Sequence, residues 1–134
     1  MNTAINTDKA PGAIGPYSQG IVAGDTVYCS GQLPINPATG EMGANIKEMT
    51  TNSLNNLKAI LEAQGLTMKN VTKTTVFLTD MGDFAAMNEV YETFFEAPFP
   101  ARSAVQVAAL PKNAAIEIEC IAENSLHTLL LLET

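Results

Sequence analysis

The chain contains a single arginine, Arg102, in the segment Phe99-Pro100-Ala101-Arg102-Ser103, between a predicted helix end and a predicted strand. A guanidinium can grip a small carboxylate through two parallel hydrogen bonds, whereas a lysine ammonium offers only a point charge. The alternative is an ion pair between Arg102 and one of the many Asp and Glu residues on the surface. The sequence leaves both interpretations open.

Two glutamates mark the last predicted strand. Glu117 and Glu119 alternate with apolar residues over 116–120, so this strand has one apolar and one acidic face. The segment 103–108 also alternates. Its two valines lie on one face, and Arg102, just before it, lies on the opposite face with the residue between the valines. Each of the two strands therefore carries one apolar face and one face with a charge.

The composition predicts one compact domain over residues 1–134. With 46% hydrophobic and 16% charged residues, the chain can bury a core without disulfides or metals to stabilise it. Cys29 and Cys120 are too few for a disulfide framework or a four-ligand metal site. No apolar signal segment follows Met1, so we expect a cytoplasmic protein.

The charge balance favours small-molecule chemistry. Seven Lys and Arg residues against 14 Asp and Glu residues give a net charge of -7. Nucleic-acid binding without sequence preference depends on clustered Lys and Arg, so we expect no nucleic-acid partner. We also expect no membrane span, because residues 129–132 are far too few for a helix of roughly 20 apolar residues.

The first part of the chain predicts a β-hairpin. The N-terminal residues are polar and mixed, so we expect the first regular element near Tyr17. Strands over 18–23 and 26–30 flank Gly24-Asp25, a pair typical of a type II′ turn. Gly31 then ends the second strand, either as a simple bulge or to let a ligand or second chain approach the backbone.

Two amphipathic helices are predicted further along the chain. Asn45 and Glu48 resemble a capping box, and Gly65 supplies a left-handed end to the first helix. Asp83 is predicted to cap a second helix that ends at Phe95. The first helix presents an apolar face with Leu54, Leu57, Ile60, Leu61 and Gln64, opposite Asn52, Asn55, Asn56 and Glu62. The second helix presents an apolar stripe, interpreted as core, with Phe84, Met87, Val90, Tyr91, Phe94 and Phe95.

The order of elements, ββ-α-β-α-ββ, predicts an α+β fold with two helices on one face of a mixed sheet. The segment 71–79 is rich in β-branched residues and apolar on both sides, so we predict a central strand there. We expect the other sheet face to hold the charged positions of the last two strands. Because that face also carries apolar groups, we expect it to pack against other copies of the chain.

Six short motifs follow one another between residues 10 and 122. They are Ile14-Gly15-Pro16-Tyr17-Ser18-Gln19-Gly20, Ser30-Gly31-Gln32, Asn36-Pro37-Ala38-Thr39-Gly40, Lys73-Thr74-Thr75-Val76-Phe77-Leu78, Phe99-Pro100-Ala101-Arg102-Ser103 and Ile116-Glu117-Ile118-Glu119. In this order they resemble the RidA (YjgF-like) family. The resemblance implies a homotrimer with a chorismate-mutase-like fold, its sheets facing inward and three clefts between subunits.

The resemblance also implies an activity, the hydrolysis of reactive enamines and imines such as 2-aminoacrylate to the 2-keto acid and ammonia. Arg102 would hold the substrate carboxylate, and Glu117 would sit near the reacting carbon and its water. No metal or cofactor is expected, because protonation of the enamine carbon and attack of water on C=N need only a proton-handling carboxylate and an anchored substrate. The other cleft positions are Tyr17, Ser30, Gly31, Asn88 and Ala104.

Two features depart from the family pattern. Ala104 stands where many members have a cysteine, which removes a thiol and enlarges the pocket at that point. The chain also continues through 124–134, where Leu126 and residues 129–132 could add an edge segment, cover a neighbouring subunit or fray.

Two other functions remain open from the sequence. One is a non-catalytic regulator of the same fold that binds a small 2-keto or amino acid. The other is RNA cleavage, which is disfavoured because the one histidine, His127, lies in the tail and the chain is acidic.

Overall fold

The computed structural model describes residues 1–124 and shows a six-stranded mixed sheet with two α-helices packed on one face. The strands are β1 (Thr3–Ile5), β2 (Gly20–Ala23), β3 (Thr26–Gln32), β4 (Val71–Leu78), β5 (Ala101–Gln106) and β6 (Ile116–Glu123). The helices are α1 (Ile46–Ala63) and α2 (Phe84–Phe94), with short 3-10 turns at Met68–Asn70, Met81–Asp83 and Pro111–Asn113. The predicted α+β class is confirmed.

The strands are arranged in the order β1-β2-β3-β6-β4-β5, and β4 and β5 run parallel while the other neighbours are antiparallel. The predicted central position of β4 is confirmed, because it pairs with β6 on one side and β5 on the other. Both helices lie over the face that carries the buried residues of β3, β4 and β6. No helix within residues 1–124 has the length and apolar character needed to cross a membrane.

The hairpin is confirmed, but the predicted start of regular structure near Tyr17 is wrong. Of the two turn residues only Gly24 has a positive φ, 61°, and β2 pairs with β3 on either side of it. A shorter strand, β1, precedes Tyr17 and pairs antiparallel with β2. Three residues are too few to show an alternating pattern, and Ile5, only 3% exposed, is the single member that reaches the core.

Helix α1 begins and ends where its capping residues predict. Asn45 Oδ1 accepts a hydrogen bond of 2.9 Å from the backbone N–H of Glu48. The Glu48 carboxylate reaches one residue further back than in a standard capping box and accepts from the N–H of Ala44 at 2.6 Å. Gly65, with a φ of 78°, follows the last turn in the left-handed region.

The predicted apolar and polar faces of α1 need two corrections. Asn56, expected on the polar side, is 1% exposed, and its Nδ2 donates to the carbonyls of Leu33 at 3.2 Å and Ile35 at 2.8 Å. Gln64, expected on the buried face, is exposed. The loop after β3 covers a second side of α1. A polar side chain such as Asn56 is therefore buried there because it hydrogen-bonds to the loop.

The predicted side-chain cap of α2 is wrong. Asp83 occupies the N-cap position, but its backbone is helical and its side chain makes no capping hydrogen bond. The carboxylate of Asp80 instead accepts from the N–H of Gly82 at 2.8 Å, at the start of the preceding 3-10 turn. The predicted stripe is confirmed as core by the burial of Met87, Tyr91 and Phe95.

The charged positions of β5 and β6 lie on opposite faces of the sheet. This corrects the expectation that both lie on the face that the helices leave uncovered, which we name the free face. Arg102 pairs in parallel register with Thr74, which is fully buried beneath the helices. Glu117 pairs with Phe77, whose neighbours in β4 are the buried ones, so Glu117 faces away from the helices. At the edge strand β5 it is Val105, 43% exposed, that lies on the free face.

The predicted C-terminal extension falls almost entirely outside the described residues, which end at Asn124. That part includes Leu126, His127 and residues 129–132. The single-domain prediction for the whole chain stays a prediction.

The double hydrogen bond of Asn56 gives a test of how the loop after β3 is held. We expect Asn56→Ala to lower the free energy of unfolding by about 1–3 kcal/mol, because it leaves two backbone carbonyls without their buried donor. Asn55→Ala is the matched control, since Asn55 is the exposed neighbour in the same helix. Urea unfolding at one fixed protein concentration measures both, and equal midpoints for the two variants would contradict this role.

Candidate active site

Glu117 lies in a cavity of about 520 Å³ between the N-terminal loop and the end of β3. We name this space the glutamate cavity. Its lining includes Ile14, Tyr17, Ser30, Gly31, Lys112 and Glu117. Four residues that the sequence analysis assigned to a substrate cleft therefore meet in one place, namely Tyr17, Ser30, Gly31 and Glu117.

A bulge in β3 brings its backbone against the Glu117 carboxylate. Register in the β3–β6 pair shifts between Cys29 and Gln32, so that two residues of β3 face one residue of β6. A Cβ at Gly31 would lie 2.7 Å from Glu117 Oε2. The bulge interpretation of Gly31 is therefore confirmed, and the space without a Cβ is occupied by the protein's own carboxylate. The approach of a ligand or a second chain to Gly31 stays a prediction.

The loop that carries Tyr17 is held by a buried glutamine that sequence analysis did not single out. Gln19 is 3% exposed, and its Nε2 donates to the carbonyls of Thr7 and Pro11, both at 2.9 Å. Its Oε1 accepts from the N–H of Thr7 at 2.7 Å. Gln19 belongs to the first motif of the resemblance, but only the structure shows that its amide ties the N-terminal segment to the cavity.

The hydroxyl of Ser30 and the side chain of Lys112 complete the lining. Ser30 Oγ donates to the carbonyl of Ser18 at 2.6 Å, which holds the segment just before β2 beside the bulge. Lys112 and Asn113 have φ values of 56° and 57°, a left-handed conformation that is uncommon for residues other than glycine. Lys112 is the one cation among the lining residues, and its position was not predicted.

The surroundings of Glu117 raise the pKa of its carboxyl group. Partial burial raises the pKa of Glu117, and the nearby negative charge of Glu119 raises it further. A carboxyl whose pKa lies above the ordinary value of about 4.3 can both donate and accept a proton closer to neutral pH. This is the property that a group handling protons in a reaction needs.

Arg102 lies in a second cavity, of about 480 Å³, which we name the arginine cavity. Its lining is Asn88, Tyr91, Glu92, Phe99, Pro100 and Arg102. Arg102 Nη1 donates to Asn88 Oδ1 at 2.7 Å. The hydrogen-bond partner of the guanidinium is thus a neutral amide, which does not neutralise its charge, so the guanidinium can pair with an anionic ligand.

An ion pair of Arg102 with a surface carboxylate, the alternative left open above, is not observed within residues 1–124. The ion pairs there join Lys47 to Glu89 and Lys69 to Glu96. Arg102 therefore has a cavity beside it and no carboxylate of its own chain bound to it in the described part of the structure.

The predicted site residues form two groups in one chain. Tyr17, Ser30, Gly31 and Glu117 share the glutamate cavity, while Asn88 and Arg102 share the arginine cavity. Ala104 lines neither cavity and packs against the core on the face of Arg102. Since the two cavities belong to opposite faces of the sheet, one chain does not bring Arg102 and Glu117 together.

Comparison with known proteins identifies the family. A sequence model of the family described as Endoribonuclease L-PSP matches residues 7–124. A structure of RidA from the Antarctic bacterium Psychrobacter is 49% identical, with a TM-score of 0.87 over 90% of this chain and 98% of that one. The chain belongs to the RidA family.

Two relatives from Escherichia coli bear on the chemistry of this RidA family member. The K12 protein named 2-iminobutanoate/2-iminopropanoate deaminase is 52% identical over 91% of this chain and 98% of its own length. A crystal structure of TdcF with bound serine is 51% identical, with a TM-score of 0.87 over 90% of this chain and 98% of that one. The family resemblance noted from the six motifs is confirmed.

The cause of the raised Glu117 pKa can be tested by removing one charge. We expect Glu119→Gln to lower the pKa of Glu117, because it removes the negative neighbour, yet to leave it above the ordinary value, because burial persists. A carbon-detected NMR titration of the Glu117 carboxyl measures this. Glu123→Gln, an exposed position further along β6, is the control. An unchanged pKa in Glu119→Gln would show that the two carboxyl groups do not interact.

Proposed function

We propose that this RidA family member is a hydrolytic deaminase of reactive enamines and imines, such as 2-aminoacrylate, and releases a 2-keto acid and ammonia. The observation that carries the proposal is a guanidinium paired with a neutral amide beside an open cavity, in a chain 52% identical to a 2-iminobutanoate/2-iminopropanoate deaminase. The cytoplasm, which the composition predicts, is the proposed location.

Substrate binding begins at Arg102. The substrate is a planar carboxylate conjugated to C=C or C=N, and its two oxygens match two N–H groups of one guanidinium edge. Asn88 accepts a hydrogen bond from Nη1 and so fixes the orientation of that edge. Anchoring the carboxylate converts attack by water into a reaction within one complex, which is the main contribution that a site with few catalytic groups can make.

Proton transfer is assigned to Glu117. The protonated carboxyl donates a proton to the terminal carbon of 2-aminoacrylate, and the electron pair of the amine forms the C=N bond of the iminium. Water then adds to the carbon of the C=N bond, and the Glu117 carboxylate accepts a proton from that water. Glu117 returns this proton to the nitrogen, and the C–N bond then breaks to release ammonia while the hydroxyl oxygen forms the C=O bond of pyruvate. The hydroxyl proton passes to the Glu117 carboxylate, so the carboxyl ends as it began.

The complete site requires two copies of the chain. Arg102 and Glu117 lie on opposite faces, so we propose that the arginine cavity of one subunit meets the glutamate cavity of the next. A homotrimer would provide three such clefts. Tyr28 and Val105, on β3 and β5, expose apolar side chains on the free face, and burial of these side chains would favour an interface between copies.

A non-catalytic role in binding a small 2-keto or amino acid is the second candidate, favoured by the bound serine in the TdcF structure. Such a protein would need the Arg102 anchor but not the proton chemistry of Glu117. The two candidates therefore differ in one variant, Glu117→Gln, which a binding protein tolerates and a deaminase does not.

RNA cleavage, suggested by the description of the family model, receives no support from the described residues. The net charge is -7, and His127 lies outside the described part of the chain. RNA binding by this protein would have to overcome repulsion between an acidic surface and the phosphate backbone.

The deaminase proposal predicts the effect of changing the anchor. We expect Arg102→Ala to lower kcat/KM for 2-aminoacrylate by about a hundredfold or more, and Arg102→Lys to recover only part of this loss, since lysine keeps the charge but not the paired donors. Release of pyruvate from 2-aminoacrylate generated by a serine-dehydrating enzyme measures the rate above spontaneous decay.

The matched control is Lys73→Ala, a cation on β4 at the position that pairs with the residue before Arg102. This variant should keep the full rate. Turnover that is equal in Arg102→Ala and the unmodified protein, with both forming the same oligomer, would overturn the assignment of Arg102.

A further inference from the structure

Arg102 is held by one face of α2. Phe84, Asn88 and Tyr91 occupy helical positions i, i+4 and i+7, so their side chains project from the same side of the helix. All three contact the guanidinium. Nη1 donates to Asn88 Oδ1, and the guanidinium carbon lies 4.8 Å from the centre of the Tyr91 ring and 5.4 Å from that of Phe84.

The Tyr91 ring is itself fixed by buried contacts. Its hydroxyl lies 2.7 Å from Oγ1 of Thr74, which is fully buried and is the residue paired with Arg102 across β4 and β5. The ring of Phe95 lies against it, with ring centres 4.7 Å apart. Burial raises the pKa of Tyr91, so its hydroxyl stays protonated and able to share a hydrogen bond. Tyr91 is therefore a rigid support rather than a mobile side chain.

We propose that Phe84, Tyr91 and Thr74 are positioning residues that fix the plane of the Arg102 guanidinium, and that this fixed plane selects planar carboxylates over tetrahedral anions. The inference rests on the proposed function, because it takes Arg102 as the carboxylate anchor. The two aromatic residues supply cation–π attraction over the guanidinium, and Thr74 keeps one of the rings in place.

The selectivity follows from the shape of the two kinds of anion. A carboxylate that bonds to two N–H groups of one edge lies in the plane of the guanidinium and has no atom above or below it. A sulfonate that makes the same two hydrogen bonds places its third oxygen out of that plane. Its carbon lies on the opposite side of the plane. If the oxygen faces the aromatic rings it loses water and gains no hydrogen bond, and if it faces away, the carbon chain leaves the plane that a bound carboxylate shares with its own chain, so binding is weaker in either orientation.

The closing experiment measures binding rather than turnover. Calorimetry gives the affinity for 2-ketobutyrate, and competition with propionate and ethanesulfonate compares a planar with a tetrahedral anion of equal charge. We expect the unmodified protein to prefer propionate by about tenfold and Phe84→Leu to reduce this preference to about threefold or less, with weaker binding of 2-ketobutyrate, since the cation–π contact is lost. Phe94→Leu is the matched control, because Phe94 is a half-buried member of α2 that lines a different cavity.

A second variant distinguishes the positioning role from a loss of stability. Thr74→Val combined with Tyr91→Phe removes both hydroxyls while keeping the ring and the volume, so the unfolding midpoint should stay unchanged. We expect the same narrowing of selectivity. If both variants fold, bind 2-ketobutyrate and keep the tenfold preference, the positioning role is overturned. If the unmodified protein does not bind 2-ketobutyrate, the Arg102 anchor of the proposed function fails first, and this inference fails with it.

Discussion

The register of β4 with its two neighbours is the constraint on which the site depends. Because side chains alternate between faces, pairing of Arg102 with Thr74 and of Glu117 with Phe77 commits the two charged residues to opposite sides of one sheet. In the structure the two side chains therefore lie in separate cavities on the two faces. This separation is the reason for the proposal that a reaction using both residues takes them from two copies of the chain.

The glutamate cavity and the arginine cavity are formed by different local features of the fold. On the free face, the bulge before Gln32 and the absence of a Cβ at Gly31 give the Glu117 carboxylate room against the backbone, where burial raises its pKa. On the helix face, α2 surrounds Arg102 with two aromatic rings and a neutral amide. The glutamate cavity thus raises the pKa of a carboxyl group, and the arginine cavity holds a cation whose hydrogen-bond partner is a neutral amide.

Sequence patterns predict the helices and the hairpin because these elements carry local signals, such as Asn45, Gly65 and Gly24. Alternation in β5 correctly places Arg102 and Val105 on opposite faces. It does not indicate which of these faces turns toward the helices, since that depends on the partner strands. The burial of Asn56 depends in the same way on a distant loop. The apolar stripe of α2 is core, as predicted. Phe84 and Tyr91 also contact Arg102, but their helical spacing is the same as that of residues that only pack in the core, so the sequence does not reveal this second role.

Mixing two inactive variants tests the shared site most directly. Arg102→Ala and Glu117→Gln are purified separately, then unfolded together and refolded, and release of pyruvate from 2-aminoacrylate is assayed. If each cleft takes its arginine from one subunit and its glutamate from the next, random assembly restores about a quarter of the clefts and of the activity. No recovery in mixed oligomers of proven composition would contradict the account, because it would mean that both residues act from the same chain.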